Sequence, residues 1–446
     1  MRIIIAGAGE VGTHLAKMLS NENHEILIID PDEERLKPID SSMDVMTFHG
    51  PSTSIGLLQN AMRKKTDLFI AVTNSEDSNI TSCILAKRLG AVKTIARIDN
   101  LEYLEQEHED FFRSLGIDSL IYPELIAARE VLMLLHESGT TDFMEFSGGK
   151  LAMYVQKLDE KAPVLNMTLK EISKEFKTDK YRAVAIKRNN NTIIPKADDV
   201  LLFGDLVYII STNEGINEMM KASGKEVFET QNIMVIGGSR IGKHIAYYMQ
   251  KSCAVKLIDI DKEKCEALAE VLENTLIING DCRDVDLLTR EGIGIMDCFI
   301  AVTGNSETNI LSCLLAKKLG VKKTIAEVEN TEYINLAENI GIDTIINKKI
   351  SSASRIFRHT INPNVTQVKY LTGTDAEVIE FIVPPNSKIT KGSLRGIDFP
   401  DDAIVCGGIR NNEPFIAFAD TMIKAGDRIV VFTLPSAVEK VTKFFI

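Results

Sequence analysis

No apolar run in this sequence reaches the roughly 18 residues that a membrane-spanning helix needs, so any membrane role is expected to be peripheral. Positive charge is in deficit too. The chain has 51 Lys and Arg against 63 Asp and Glu, a net charge of −12, and so lacks the basic excess by which nucleic acid is held. Cysteine is sparse: Cys83, Cys253, Cys265, Cys282, Cys298, Cys313 and Cys406 form no C-x-x-C pair, and no histidine-rich cluster completes a zinc site. Reduced thiols in a cytoplasm are expected, and no metal site. Met1 runs straight into an apolar strand, so no secretory leader is expected. At 446 residues the chain exceeds one core, and about two to four domains are expected.

What is present is organised around the first thirty residues. Residues 2–6 (RIIIA) make a branched apolar run suited to a strand covered on both faces. Gly7, Ala8, Gly9, Glu10, Val11 and Gly12 then turn into an amphipathic helix, and residues 25–30 (EILIID) give a second strand ending in Asp30. That order and spacing suit a dinucleotide site. Gly7 permits the tight turn, Gly9 lets a pyrophosphate approach the backbone, and Gly12 lets helix and strand pack closely. Amides of the first helical turn would face the phosphates. Asp30 can accept from a ribose diol and would repel a 2′-phosphate, which favours NAD or an adenine nucleotide over NADP. A glycine turn without ligand is the competing reading, and the joint placement of the three glycines and Asp30 weighs against it.

The β-α alternation continues through a helix after Asp30, a strand at 44–50, a strand at 67–73, a helix over 79–89, and strands at 93–97 and 116–123. A parallel, doubly wound sheet over 1–135 is implied. From 141 to 225 the pattern changes to short alternating strands, with a hairpin at Asn189, Asn190 and Asn191. The chain then starts again. Residues 232–236 with Gly237, Gly238, Ser239, Arg240, Ile241 and Gly242 restate the opening, and Asp259 restates Asp30. Residues 67–103 and 297–333 share FIAVT, SC, LAK, LG, KTIA and Glu-Tyr in register. The stretch after 363 repeats the short-strand pattern, with a hairpin at Asn411 and Asn412. The expected fold is therefore α/β: two Rossmann-like doubly wound parallel-sheet domains (1–135 and 231–361), each followed by a small β-rich α+β domain (141–225 and 366–446).

IIIAGAGEVG at 3–12, AVTNSEDSN at 71–79, IAR at 95–97 and AVTGNSETN at 301–309 carry a specific likeness. Over essentially its full length the chain resembles the TrkA family, whose members join two RCK (KTN) domains and act as peripheral cytoplasmic proteins of Trk-type potassium uptake systems. The resemblance implies that ligand lies across the C-terminal strand ends, as the open-sheet rule also expects. It implies that residues 7–11 hold the phosphates, Asp30 the adenosine ribose, Thr73 and Asn74 the nucleotide from the fourth strand, and Arg97 the phosphates. In the second copy it points to Gly237, Gly238, Ser239, Arg240, Ile241, Asp259, Asp281 and Thr303. Three departures stand out. The acidic residue that the family often carries after the third-strand glycine is Asp281 in the second copy but Pro51 in the first. Ser239 replaces the middle glycine, and Glu327 stands where the first copy has Arg97. The serine narrows the backbone's approach and the carboxylate repels a phosphate, so one tight site per chain, at 7–30, is expected. The resemblance further implies NAD or NADH, or alternatively ATP or ADP, as ligand. It implies a ring-like homo-oligomer, and an integral-membrane potassium transporter subunit of the TrkH or TrkG type as partner at the inner face of the cell membrane.

Three functions compete. One is a regulatory subunit that gates potassium transport by ligand-driven domain movement, the second an NAD-dependent oxidoreductase, and the third a passive assembly scaffold with a structural nucleotide. An oxidoreductase needs an acid or base beside the nicotinamide, and neither small domain contains a histidine. No catalytic residue is assigned. His14 and His244 read as helix-packing residues, Cys83 and Cys313 as buried structural thiols. The family resemblance favours the regulatory subunit.

Overall fold

Arg2–Ala6 (β1) is buried along its whole length, as a branched run between two neighbouring strands must be. In this computed structural model, which describes residues 1–20, 24–136, 140–176, 179–189, 191–224, 228–357, 365–370 and 376–445, it opens an α/β succession. It is followed by α1 (Glu10–Ser20), β2 (Glu25–Asp30), α2 (Glu33–Ser42), β3 (Met46–His49), α3 (Ile55–Ala61), β4 (Leu68–Ala71) and α4 (Glu76–Arg88). Then come β5 (Lys93–Arg97), α5 (Gln106–Ser114), β6 (Ser119–Ile121) and α6 (Pro123–His136). A β-rich stretch follows: β7 (Asp142–Phe146), β8 (Leu151–Lys157), α7 (Leu169–Glu175), β9 (Tyr181–Arg188), β10 (Asn191–Ile193), β11 (Leu206–Thr212) and α8 (Ile216–Ala222). The α/β succession repeats as β12 (Asn232–Ile236), α9 (Arg240–Met249), β13 (Ala254–Asp259), α10 (Lys262–Ala269), β14 (Thr275–Asn279) and α11 (Val285–Arg290). It continues through β15 (Cys298–Ala301), α12 (Ser306–Lys318), β16 (Lys323–Glu327), α13 (Glu332–Ile340), β17 (Thr344–Ile346) and α14 (Lys348–Phe357). The last stretch has β18 (Val365–Tyr370), β19 (Glu377–Ile382), β20 (Ala403–Arg410), β21 (Glu413–Ile416), β22 (Arg428–Thr433) and α15 (Val438–Thr442). Asn190 of the first hairpin and the expected domain ends at 225 and 361 lie outside the described residues.

Two units are formed. The first holds Met1–Ala127 together with α14. Its sheet has the order β3-β2-β1-β4-β5-β6 with all pairings parallel, so the order reverses between β1 and β4 and a crevice opens above their C-terminal ends. Side-chain caps start its helices: Asp32 accepts from Glu34 N at 3.0 Å and Ser75 from Ser78 N at 3.2 Å. Ile4, Leu27, Phe69, Ala96 and Cys83 lie in one core. Onto α1 packs α14, whose buried residues Lys349, Ser352, Ala353, Ile356 and Phe357 recur at helical spacing. A helix that follows the second parallel sheet in sequence thus belongs to the first.

The second unit holds Ala128–Asn347 together with β18 to α15. Its parallel sheet, β14-β13-β12-β15-β16-β17, repeats the first in order. Two antiparallel sheets, β10-β9-β11-β8-β7 and β18-β19-β22-β20-β21, share a core in which Tyr208 meets Phe432 with ring centroids 5.5 Å apart. Each carries the same ion pair between a half-buried arginine and a buried aspartate. Arg188 Nη2 lies 2.7 Å from Asp205 Oδ2, and Arg410 Nη2 lies 2.7 Å from Asp427 Oδ2. Asn411 and Asn412 have φ of 49° and 73°, the left-handed pair that a tight hairpin requires.

All seven cysteines are free thiols, and Cys83, Cys298, Cys313 and Cys406 are fully buried. Burial pushes Cys298 and Cys406 up to about 12, as inert structural thiols require. Burial also lowers the pKa of His14 on α1, with Lys17 adding to the effect, and of His244 on α9, with Lys243 and Arg129 adding. Below the unfolded value of about 6.5 the unfolded chain therefore binds more protons than the folded one. The thermal midpoint should fall as pH drops from about 6.5 toward the folded values, and His14→Gln should flatten that slope; an unchanged slope removes His14 as a cause.

Candidate functional site

The crevice of the first unit is built by four strand ends. At the end of β1, Gly7 has φ of +112°, and a Cβ there would stand 3.0 Å from Thr73 N, so only glycine lets the two strand ends approach so closely. A Cβ on Gly12 would lie 1.8 Å from Gly7 O, which fixes α1 tightly against the turn. Gly9 is different: a Cβ there would meet nothing within 4 Å, so the space above it is open. Ala8 and Gly7 are buried, Val11 is partly buried and Glu10 is exposed. Having no side chain, Gly9 leaves the first-turn amides of α1 uncapped and directed at the crevice.

Asp30, 3 % exposed at the end of β2, accepts from Ala8 N at 2.6 Å and from Asp32 N at 2.8 Å. It therefore braces the glycine turn as well as facing the crevice. From β5, Arg97 reaches Asn74 Oδ1 at 3.5 Å and Asp99 Oδ1 at 3.4 Å, both long contacts, and its buried Nε has no acceptor among the described residues. Thr73 is held rather than free. The side chain of Asn79, 1 % exposed, accepts from Thr73 N at 2.9 Å and Thr73 Oγ1 at 2.7 Å, and it donates to Thr73 O and Arg97 O at 3.0 Å each. Asn79 thus ties the β4 and β5 ends together. Lys349 of α14 forms an ion pair with Glu10 at the mouth of the turn.

The second parallel sheet repeats the frame but not the chemistry. Gly237 has φ of +98°, and Asn309 ties Thr303 to Glu327 O as Asn79 ties Thr73 to Arg97 O. Ser239 acts otherwise than its bulk alone suggests: its hydroxyl accepts from Gly242 N at 3.3 Å and caps α9, taking an amide that would otherwise face a ligand. Asp259 accepts from Gly238 N at 2.7 Å and from Asp261 N at 2.9 Å, and Lys264 Nζ sits 2.9 Å from it, so a ribose would have to compete with a lysine. Asp281 is held in the same way by Arg283, with Nη2 2.7 Å from Oδ2, and this hydrogen-bonded pairing lowers its carboxyl to about 2. Arg240 is exposed, Ile241 is buried, and Glu327 is 3 % exposed at the β16 end.

Residues 3–123 and 233–348 match the TrkA-N domain, and residues 156–224 and 378–446 match the TrkA-C domain. The chain belongs to the TrkA family. A TrkA homolog of the Trk potassium uptake system from Archaeoglobus fulgidus is 34 % identical over 450 residues, covering 100 % of both chains. The TrkA of Halomonas elongata is 30 % identical, covering 97 % of this chain and 96 % of its own. In fold the chain is similar to the GsuK RCK domain, with a TM-score of 0.59 at 16 % identity over 100 % of this chain and 94 % of that one. It is equally similar to the GsuK channel bound to NAD, with a TM-score of 0.59 at 16 % identity over 99 % and 78 %. The TrkA-N segments contain both glycine turns and both strand-end asparagines.

Within this TrkA frame, Gly7, Ala8, Gly9, Glu10, Val11, Gly12, Asp30, Thr73, Asn74 and Arg97 lie at or just beyond the C-terminal ends of β1, β2, β4 and β5 of one sheet. Two residues escape the sequence reading. Asn79 is visible only as the last residue of AVTNSEDSN, which recurs in AVTGNSETN, and that recurrence was the available signal. Lys349 gives no signal, since hundreds of residues separate it from Glu10. Among the described residues no helix is long and apolar enough to cross a membrane, and no cluster of three His, Cys, Asp or Glu side chains could hold a metal ion.

Proposed function

We propose that this chain is a nucleotide-binding regulatory subunit of a potassium uptake transporter, with one tight dinucleotide site per chain in the first parallel fold. The observation that carries this reading is one crevice holding both an open, uncapped helix start at Gly9 and an arginine, Arg97, whose buried Nε has no acceptor among the described residues. Gly7 to Val11 and the α1 amides would take the phosphates with Arg97, Asp30 the ribose, and Thr73 and Asn74 the rest of the nucleotide. Gly237, Gly238, Ser239, Arg240, Ile241, Asp259, Asp281 and Thr303 would form the weaker counterpart. The division into four domains at 135, 225 and 361 is part of the proposal. NAD or NADH is the ligand favoured, with ATP or ADP as the alternative. The names of the relatives support potassium uptake as the process, and so a TrkH- or TrkG-type membrane partner, a ring-like homo-oligomer and a cytoplasmic, peripheral place. The names of the relatives, proteins of potassium uptake systems, support a regulatory rather than catalytic role. Ligand would act by binding two domain arrangements with different affinity, since equal affinity shifts nothing.

Calorimetry with NAD, NADH, ATP and ADP on the purified chain, paired with potassium flux in vesicles carrying the transporter, tests this. Saturable binding of at least one nucleotide and a ligand-dependent flux are expected. Binding of none, or a monomer at micromolar concentration with no effect on flux, overturns it. Asp30→Ala is expected to weaken NAD binding by about 1.5–3 kcal/mol, the size of charge-assisted hydrogen bonds lost. Unchanged affinity would remove Asp30 from the site.

A further inference from the structure

β11 divides its residues between two faces. Tyr208 and Ile210 enter the core shared with the second antiparallel sheet, so Val207 and Ile209 face the other way, and there they line a cavity of about 590 Å³. Leu158, Leu169, Ile172 and Met219 extend an apolar wall, and the volume is typical of small-molecule sites. Ala222 and Ser223, at the end of α8, also line it. The charged residues of the lining leave that wall apolar: Lys170, Lys196, Arg395 and Asp420 are exposed, and Arg182 donates to the Ala417 carbonyl. A hollow of this size among aliphatic side chains forfeits their dispersion contacts unless something fills it.

The duplicated sheet shows what fills the same face. Arg188 and Asp205 in the first sheet correspond to Arg410 and Asp427 in the second, and at that separation β11 falls on β22 and the start of α8 on the start of α15. Ala222 then corresponds to Phe444 and Ser223 to Phe445. Gln156, which pairs with Val207, corresponds to Phe381, which pairs with Ile429. In the second sheet Phe445 is 1 % exposed and stacks on Phe381 with ring centroids 4.0 Å apart, and Phe444 meets Phe399 edge-on at 5.2 Å. Aromatic rings thus occupy the face that the first sheet leaves hollow. One ring is returned, since Tyr181 stands where the second sheet has Ala403, yet the cavity persists with Tyr181 already on its wall.

We propose that this cavity binds a small apolar aromatic molecule, seated on the face where the second sheet places its own phenylalanine rings. The Tyr181 ring and the Met219 thioether on the wall favour an aromatic body over an aliphatic one of the same size. The site belongs to the second unit alone, so its test is independent of the nucleotide reading. Calorimetry on the full chain with 2-naphthol and with its saturated counterpart, decahydro-2-naphthol, provides that test. 2-Naphthol should bind saturably, one per chain, and roughly 2- to 10-fold tighter than the saturated alcohol. Ala222→Phe combined with Ser223→Phe, the residues of the second sheet, should abolish that binding while the thermal midpoint holds or rises, because the new rings fill a hollow. Ser223→Phe alone, checked for a wild-type far-ultraviolet spectrum, adds one ring and should weaken 2-naphthol about tenfold or more. No saturable binding of 2-naphthol, equal affinity for the two alcohols, or wild-type affinity in the folded variants overturns the proposal.

Discussion

Arg97→Glu should lower the affinity of the first fold for NAD by roughly one to three decades. A like charge a few ångströms from a pyrophosphate costs about 1–4 kcal/mol between the dielectric of water and that of a protein surface. The substitution copies the second fold, where Glu327 occupies the matching strand end. Glu327→Arg should raise second-fold affinity only in part. Ser239 would still take the Gly242 amide, and Lys264 would still sit on Asp259. Glu327→Gln, which removes the charge without adding bulk at a buried position, should move the second fold the same way by less. Stoichiometry is the readout: the wild type should titrate with one tight NAD site per chain. Two equal sites, or a structure with NAD ordered in the second fold alone, would overturn this asymmetry.

Asn79→Ala should destabilise the first unit by about 2–5 kcal/mol. The amide serves Thr73 N, Thr73 Oγ1, Thr73 O and Arg97 O at once, and a largely buried backbone group left without a partner costs about 1–3 kcal/mol. Water reaching the crevice would recover some of that, which sets the lower end. Denaturant midpoints on wild type and variant measure it, and Asn309→Ala should do the same to the second parallel fold. A loss near zero would mean that solvent already shares these hydrogen bonds and that Asn79 does not hold the two strand ends.

The sequence made the strand-turn-helix-strand opening legible because glycine conformation and apolar periodicity are local. Gly7, Gly12 and Asp30 lie where close approach and strand length require them. The duplication was legible because both copies keep the same residues at the same separation. What stayed hidden depends on side-chain partners that spacing does not encode. Ser239 could be read as bulk, but its hydroxyl turns back to cap α9. Asp259 and Asp281 could be read as free carboxylates, but Lys264 and Arg283 hold them.

The packing of α14 on α1 also orders events in time. As the chain leaves the ribosome, residues 1–136 supply every strand of the first parallel sheet, yet the helix that covers α1 is made some 220 residues later. At about 5–20 residues per second that interval is on the order of 10–45 s. Throughout it α1 lacks the helix that packs on it and Glu10 lacks Lys349. A message truncated after the first antiparallel sheet would yield a half-protein with a sticky helix, and an expression vector ending there should give aggregates that a separately supplied second half can rescue.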